Sequence, residues 1–537
     1  MLTKEQERRY FEYCNLYREE EQFDIYAFAY THYQMTSQNL TAQQILEETK
    51  KNEPLIYRLL SELEPESYEK NYDKVKEQYS LSDLQSFLIE GEEIFQTNRR
   101  AIYHKTPDNL IKLIQHLVSD SSRRDIADFT SGRGNSILRL GNKGFESLTL
   151  VEREEKNAAI SAMKLKVIYP DRMNDIEIQV NDLNNYSEVY GEKKFDLIFS
   201  HCPWGDRTSN QSEWRFIELA MNHLKETGQA FLCVPCGIEH RKAFEELKER
   251  FIEKGFIHRV IQLPERYYSY TAIPSLLLEL SFGNQSIDFI DASQMHIEGR
   301  NGYYFSDQDI QTIIDPEFSK HKEVPCQEVL ETGRLLPSYY LLTPIEDARP
   351  LGELADVLRG SDLKKKDLED LKTDELTSFQ LIRSSGLNNG LVAEVTSLTD
   401  LPESPVLLED KDVLITRVSS SLGIAIYQAE EGVQSIVDQS LLVIRARQQS
   451  LNPYYLIAYL QSELGQEQLQ AVYSSGAIKQ ASVKSLRELP VPKATIQEQE
   501  HWGRLIERKL EQISQKILEL ELALEDYCEE SNRLFKE

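Results

Sequence analysis

Residues 195–205, FDLIFSHCPWG, decide the fold. Leu197 to Ser200 reads as a buried strand, and His201, Cys202, Pro203 and Trp204 follow directly. Packing alone does not call for a polar and aromatic group at the end of a hydrophobic strand. In open α/β sheets the carboxyl ends of strands are where ligands bind. The loop at 201–204 is therefore the first candidate for chemistry.

Working outward, the flanking segments alternate between strand and helix patterns. DIADFTSGRGNSILRLG predicts a short strand (Ile126 to Phe129), a glycine-rich turn (Thr130 to Asn135) and a helix from about Ser136. SLTLVE is a strand closing on Glu152, and a helix follows to about Val167. The strand Ile176 to Val180 leads into Asn181-Asp182-Leu183. Beyond the opening segment come helix Glu213–Leu224, strand Ala230–Val234, helix Lys242–Lys254 and strands His258–Gln262 and Ser275–Leu280. Strands and helices alternating at this spacing make βαβ units and a mostly parallel sheet. Upstream, Leu110, Ile111, Ile114 and Leu117 form a helical stripe, with Pro107 to open the helix and Thr106 as its cap.

Glycines 132 and 134 let backbone approach a ligand closely. Glu152 is placed to bind ribose hydroxyls and Asp182 to take a base-amine contact, which suits a nucleoside-containing cofactor. The G-x-G-x-x-G pattern is missing, so a cofactor without a diphosphate is expected.

The remaining regions differ in kind. Residues 1–90 carry apolar side chains at helical spacing, with Thr41 and Gln44 forming a capping pair. From about 285 to 350 periodicity breaks up, and the run Asp315 to Val324 reads as a connecting region. After Leu351 come short β-rich segments bounded by Gly, Ser or Asn turns. Ile506, Leu510, Ile513, Ile517, Leu520, Leu524 and Tyr527 then recur in steps of four and three, a heptad seam that wants a helical partner.

At 537 residues the chain exceeds one hydrophobic core and should form two to four domains. Its net charge of -28 disfavours indiscriminate phosphate-backbone binding, although a local basic cleft can sit within an acidic whole. No apolar run is long enough for a membrane span, and MLTKEQERRYFEYC lacks a signal-peptide core, so no membrane association and a cytoplasmic location are expected. Cys233 and Cys236 lie at the end of an apolar strand without a second ligand pair, so they read as core and no metal is expected.

Taken together, positions 1 to about 330 resemble the modification subunit of type I restriction–modification systems, a class of S-adenosylmethionine-dependent DNA N6-adenine methyltransferases. The resemblance is carried by Tyr103–Pro107, Asp128–Gly134, Glu152, Asn181-Asp182-Leu183, Leu263-Pro264 and Ala272–Ser275. From about 335 to the end the chain resembles half of a type I specificity subunit. The marks there are Leu351–Gly360, Asp412–Ile415 with Gly423, Ser475–Lys479, Leu489–Pro492 and Gln497–Gln499. The fold implied is α/β, a Rossmann-like methyltransferase sheet at 91–330 preceded by a helical domain at 1–90. An α+β target recognition domain at 335–495 and a C-terminal spacer or coiled-coil helix at 496–537 would follow.

The function implied is site-specific adenine-N6 methylation of a flipped base in double-stranded DNA. S-adenosylmethionine would be held by Thr106, Pro107, Asp128, Thr130, Gly132, Gly134, Glu152 and Asp182, and His201, Cys202, Pro203 and Trp204 would form the catalytic loop. DNA contacts fall to Arg383, Arg417 and Lys364. The terminal helix would serve self-association or partner subunits. No nuclease or helicase motif is present, so restriction would need a separate nuclease subunit.

Five positions depart from the family. His201 and Cys202 replace the first two residues of Asn-Pro-Pro-aromatic, Phe129 and Thr130 stand where the family usually has proline and a small residue, and Arg133 sits within the glycine turn. The alternative is accordingly a catalytically weak or inactive methyltransferase-like DNA-binding adaptor in a multisubunit defence complex.

Overall fold

The computed structural model describes residues 4–18, 24–91, 105–119, 124–182, 192–204, 213–240, 245–268, 271, 273–299, 302–315, 317, 320–363, 368, 370–388, 390–419, 422–473 and 479–534. They divide into two compact units, Met1–Tyr340 and Leu341–Glu537.

The first unit is built on a nine-stranded, mostly parallel sheet. Its strands are β1 (Asp125–Asp128), β2 (Ser147–Glu152), β3 (Ile176–Val180), β4 (Phe195–His201), β5 (Leu224–Pro235), β6 (Ile257–Gln262), β7 (Ser275–Leu280), β8 (Ser286–Asp291) and β11 (His321–Pro325). β9 (Ile297–Gly299) and β10 (Gly302–Tyr304) form a separate hairpin. The sheet order is β11-β8-β6-β7-β5-β4-β1-β2-β3. The chain winds outward through β1, β2 and β3, then crosses back to lay β4 on the other side of β1. Both neighbours of β1 run parallel to it. β4 is buried on both faces apart from its last residue, as expected for a central strand covered by helices.

Two polar networks fix this arrangement. At the amino ends of the central strands, Lys225 Nζ reaches Asp125 Oδ2 at 2.7 Å and Asp196 Oδ2 at 2.9 Å. On the far side, Arg259 of β6 spans Glu279 of β7 at 2.7 Å and Asp288 of β8 at 2.8 Å.

The stretch from about 285 to 350, where periodicity breaks up, instead supplies two strands of the sheet: β8, and β11, which overlaps the run Asp315 to Val324 expected to be a connecting region and pairs antiparallel with β8 at the edge. Only Val324 of β11 is buried, so an edge strand of this length carries no alternation for a sequence pattern to display. β5 also starts earlier than expected, at Leu224, because its polar opening residues reach past the core.

Seven helices between Lys4 and Glu90 precede the sheet among the described residues. The expected Thr41–Gln44 capping box is formed. Their core continues into Ala159, Ile160, Ala162, Met163 and Val167, so this layer packs directly on the helix Glu155–Ile168 that follows β2.

The second unit joins a six-stranded sheet of short strands, from Ala355–Arg359 to Leu387–Asn388, to a three-stranded sheet around Phe379–Ile382 and to helices Pro453–Gln461 and Glu463–Val472. It ends in a 39-residue helix, Ile496–Leu534. Of the heptad seam, Leu510 is buried in the core of this unit and Ile506 packs against it, whereas Ile513, Ile517, Leu520, Leu524 and Tyr527 are exposed. No helix of the described residues is long and apolar enough to cross a membrane.

The helical layer has a buried polar centre at His32. Nε2 lies 2.8 Å from the Tyr68 carbonyl, which can only accept, so Nε2 carries the proton. Nδ1 therefore accepts from the Tyr13 hydroxyl at 2.7 Å. Burial holds the imidazole neutral and pulls its pKa down to about 4. The unfolded chain takes up this proton near pH 6.5 and the folded chain does not. Stability from this site is thus complete above about pH 6.5 and is lost as pH falls toward 4, on the order of 3 kcal/mol in all. Denaturant titrations at pH 7 and pH 4.5 should show this loss, and a His32→Gln variant should show a shallower pH dependence over the same window.

Candidate active site

The crevice between the carboxyl ends of β1 and β4 is the topological switch point of the sheet, where open α/β folds bind ligands. β1 ends on Asp128. The turn after it returns toward β2 through the bond from Ser131 N–H to the Val151 carbonyl at 3.0 Å. Gly132 and Gly134 adopt φ values of 54° and 77°, the left-handed region that glycine tolerates best. Glu152, closing β2, accepts the Gly132 N–H at 2.9 Å through Oε2 and the Glu154 N–H at 2.8 Å through Oε1. A carboxylate has about four acceptor positions, so each oxygen keeps one. Asp182 stands just past β3, after Asn181, whose N–H bonds the Glu152 carbonyl at 3.0 Å.

Asp128 is fully buried. Its Oδ1 accepts the Thr130 N–H at 3.0 Å, and its Oδ2 has no hydrogen-bond partner among the described residues. Burial is the main cause that pushes this carboxyl up to about 7, and the charge of Glu152 adds to it. A buried carboxyl oxygen left without a partner costs stability, which marks the place as a binding position.

The loop after β4 is tied to the same turn. His201 N–H donates to Thr130 Oγ1 at 2.9 Å, and Thr130 Oγ1 lies 3.1 Å from Ser200 Oγ. Thr106 does not cap the helix Asp108–Leu117, which begins after Pro107 without a side-chain cap. Thr106 Oγ1 instead approaches His201 Nδ1 at 3.1 Å. Cys202 is buried, and burial holds its thiol well above the usual range, so it is no thiolate nucleophile. Pro203 is exposed. Trp204 donates its indole N–H to the Cys233 carbonyl at 3.3 Å and stands edge-on to the His201 ring, with centroids 5.5 Å apart. Cys233 and Cys236 are both fully buried.

Of the residues singled out in the sequence, Thr106, Asp128, Thr130, Gly132, Glu152 and His201 are linked by these bonds or by chain adjacency, and Gly134 and Asp182 lie beside them. One residue beside the His201–Trp204 loop was missed. Tyr268, also buried, packs on His201 at 4.8 Å and on Trp204 at 5.1 Å, which completes an aromatic group of three. Its only sequence signal is the Tyr267-Tyr268 pair after Leu263-Pro264.

In the second unit, three arginines meet on one turn. Arg417 Nε donates to the Gln439 carbonyl at 2.6 Å, Arg359 Nη2 donates to Gln439 Oε1 at 3.2 Å, and Arg383 Nε lies 3.7 Å from Asp438 Oδ2. Burial first, and then the charge of Arg359, push the Arg417 pKa below its usual value. Arg359 was not singled out in the sequence, although a cation closing a strand just before Gly360 was the available signal. Lys364, and most of Ser475–Lys479, lie outside the described residues.

Residues 96–332 match the N-6 DNA methylase family, and residues 347–522 match the type I restriction modification DNA specificity domain. The chain is 23% identical over 279 residues to the type I restriction enzyme MpnII methylase subunit of Mycoplasma pneumoniae, covering 44% of this chain and 51% of that protein. It is 23% identical over 326 residues to the MjaVIII methylase subunit of Methanocaldococcus jannaschii, covering 52% and 54%. The chain thus spans about half the length of the curated relatives it matches. A solved type I restriction-modification methyltransferase subunit from Streptococcus thermophilus aligns with a TM-score of 0.46 and 15% identity over 60% of this chain and 85% of that one. Matches to a methylase family and to a specificity domain thus lie in succession along one chain, and S-adenosylmethionine is the cofactor this site fits. The orphaned Asp128 oxygen and the two further strand-end acids offer acceptors for its amino and hydroxyl groups, and the glycine turn lets the backbone approach it closely.

An Asp128→Asn variant removes the carboxyl that burial penalises. Its melting temperature should equal or exceed that of the parent, while calorimetry should show S-adenosylmethionine binding weakened about tenfold or more.

Proposed function

We propose that this fused methylase–specificity chain is a site-specific DNA adenine-N6 methyltransferase of a restriction–modification or related defence system. One observation carries the proposal: the glycine turn with its strand-end acids and the His201–Trp204 loop share a single crevice, joined through Thr130. A cofactor-binding turn and an aromatic loop in that relation suit group transfer to a planar base.

S-adenosylmethionine, when bound, supplies an electrophilic methyl whose bonding pair departs on a neutral thioether sulfur. Asp128, Glu152 and Asp182 would hold it by accepting its amino and hydroxyl protons. The target adenine must leave the duplex stack to reach the crevice. Trp204, with Tyr268 beside it, offers the aromatic surface for that base. The adenine amine lone pair is delocalised into the ring, so the amine needs acceptors that draw its protons out of the ring plane. The Cys202 carbonyl is one acceptor. His201 is the other in the tautomer whose Nδ1–H donates to Thr106 Oγ1, because that tautomer keeps a lone pair on Nε2. As the new N–C bond forms, the attacking nitrogen passes one of its protons to the lone pair of His201 Nε2, which leaves the methylated amine neutral.

The three arginines gathered on the turn at Asp438–Ser440 support DNA recognition by the second unit, with Arg359, Arg383 and Arg417 on phosphates or base edges; Lys364 is proposed as a DNA contact on its sequence alone. The exposed part of the heptad seam supports pairing through the terminal helix with a second copy or another subunit. That pairing would supply a second recognition half for a bipartite target. Cleavage would fall to a separate nuclease subunit. The domain limits at 90, 330 and 495 belong to the same proposal.

Purified protein, with any required partner subunits, should transfer label from S-[methyl-³H]adenosylmethionine to unmethylated DNA. His201→Ala should abolish the transfer. Thr106→Val should lower kcat about tenfold or more, with cofactor affinity little changed, and Thr106→Ser should restore it. DNA binding without cofactor binding or label transfer would overturn the proposal in favour of the adaptor.

For recognition, Arg359→Ala should weaken DNA binding and reduce the salt dependence of log K by about one phosphate equivalent, read by fluorescence anisotropy across a salt series. An unchanged slope would remove Arg359 from the DNA contacts.

A further inference from the structure

Arg133 stands inside the glycine turn, and its guanidinium turns toward the helical layer. Nε donates to Asn157 Oδ1 at 3.0 Å and Nη1 to the Tyr26 hydroxyl at 3.2 Å. The guanidinium also lies 5.3 Å from the centroid of the Tyr26 ring. A second cation meets the same ring. Lys164 is fully buried, its Nζ is 5.3 Å from the Tyr26 centroid, and it donates to Asn135 Oδ1 at 2.7 Å. Between these contacts Ser161 Oγ donates to the Gly132 carbonyl at 2.9 Å. A Cβ at Gly134 would sit 3.1 Å from that of Ser161, so the helix backs closely onto the turn.

The pattern is regular. Asn157, Ser161 and Lys164 are spaced i, i+4, i+7 and share one face of the helix Glu155–Ile168. That face holds residues 133, 132 and 135 of the turn in succession. Tyr26 comes from a different element, the helix Ile25–Gln38, and is the piece that meets both cations at once. Its own position is set by Asp24, which caps that helix by accepting the Tyr26 N–H at 3.0 Å and pairs with Lys156 at 2.8 Å. An ammonium withdrawn from water is costly unless its charge is met, and an aromatic face meets it in part.

We infer that Tyr26 is a positioning residue for the cofactor turn: by holding Arg133 and Lys164 on its ring, it keeps residues 132–135 in the shape that binds S-adenosylmethionine. Tyr26 does not touch the ligand, and it acts through the two cations. The N-terminal helices thereby become part of the cofactor site. This inference rests on the cofactor reading of the turn given above.

The test uses the full chain with Tyr26→Leu and Tyr26→Phe. Loss of the ring in Tyr26→Leu should weaken S-adenosylmethionine binding about tenfold in calorimetry. Tyr26→Phe keeps the ring and should lose no more than about threefold, the effect of its hydroxyl bond alone. Amide exchange at residues 130–136 of the cofactor-free protein should be faster in Tyr26→Leu, while exchange in β4 and β5 stays at parent rates. If Tyr26→Leu fails to fold, Tyr26→Phe is measured in an Arg133→Met background, where it should have no further effect on affinity. Parent-like affinity and exchange in folded Tyr26→Leu, or a full additional loss in the Arg133→Met background, would overturn the inference. A parent protein that binds no S-adenosylmethionine refutes the proposed function instead, and the exchange rates at 130–136 still decide whether Tyr26 holds the turn.

Discussion

Parallel pairing of β1 with β2 on one side and β4 on the other is the constraint on which the first unit depends. β1 comes before both of its neighbours in the chain, so it can be flanked by two parallel strands only if the chain crosses over the sheet in opposite directions, outward to β2 and β3 and then back to β4. The crossing segments diverge above the strand ends, and the gap between them cannot be filled by either helix. The backbone closes the floor of this gap, with Phe129 N–H bonded to the Phe199 carbonyl at 3.1 Å and Ser131 N–H to the Val151 carbonyl at 3.0 Å. Lys225, clamped between Asp125 and Asp196, holds the opposite ends of β1 and β4 together. With both ends of this pair fixed, the side chains at 128, 130, 152 and 201 have little freedom in where they project.

That rigidity lets a short polar relay connect the two halves of the site. Thr130 accepts the His201 N–H and sits beside Ser200, so the cofactor turn and the aromatic loop share one hydroxyl. Thr130 is itself a departure from the family pattern, as are His201 and Cys202. A glycine or alanine at 130 would not offer that hydroxyl. The changes at 130 and 201 are therefore coupled in space, and His201 gains a second attachment through Thr106. Replacing the usual first proline by Cys202 relaxes a loop that the family stiffens covalently, and these hydrogen bonds are the means by which this chain holds it.

The central strands were legible because burial on both faces writes a continuous apolar run, as in β4, and the strand-end acids could then be located by counting. Ile176–Val180 and Ser275–Leu280 have the limits their patterns imply. Edge elements were not legible for the opposite reason. β11 buries one side chain, and a single apolar residue among charges has no period. Thr106 looked like a helix cap because Ser and Thr before a Pro-initiated helix usually are one. Its hydroxyl went to His201, 95 residues away in the chain, and no local pattern records so distant a partner. Tyr268, Tyr26 and Arg359 were missed on the same ground, since each acquires its role from a contact between separate elements.

The burial of Lys164 and the inward turn of Arg133 follow from where the helical layer lies. On the proposed cofactor reading of the turn, two cations beside it would repel a positively charged sulfonium ligand if they faced the crevice. Both cations instead meet the Tyr26 ring while keeping their hydrogen bonds to Asn157 and Asn135. A ring quadrupole meets positive charge without adding a net negative charge that would compete with Asp128 or Glu152 for the ligand. A carboxylate at position 26 would neutralise the cations more strongly, yet it would also raise the already high pKa of Asp128 further. The aromatic partner satisfies both demands, which gives a physical reason for the methylase sheet to be accompanied by its own N-terminal helices in this chain.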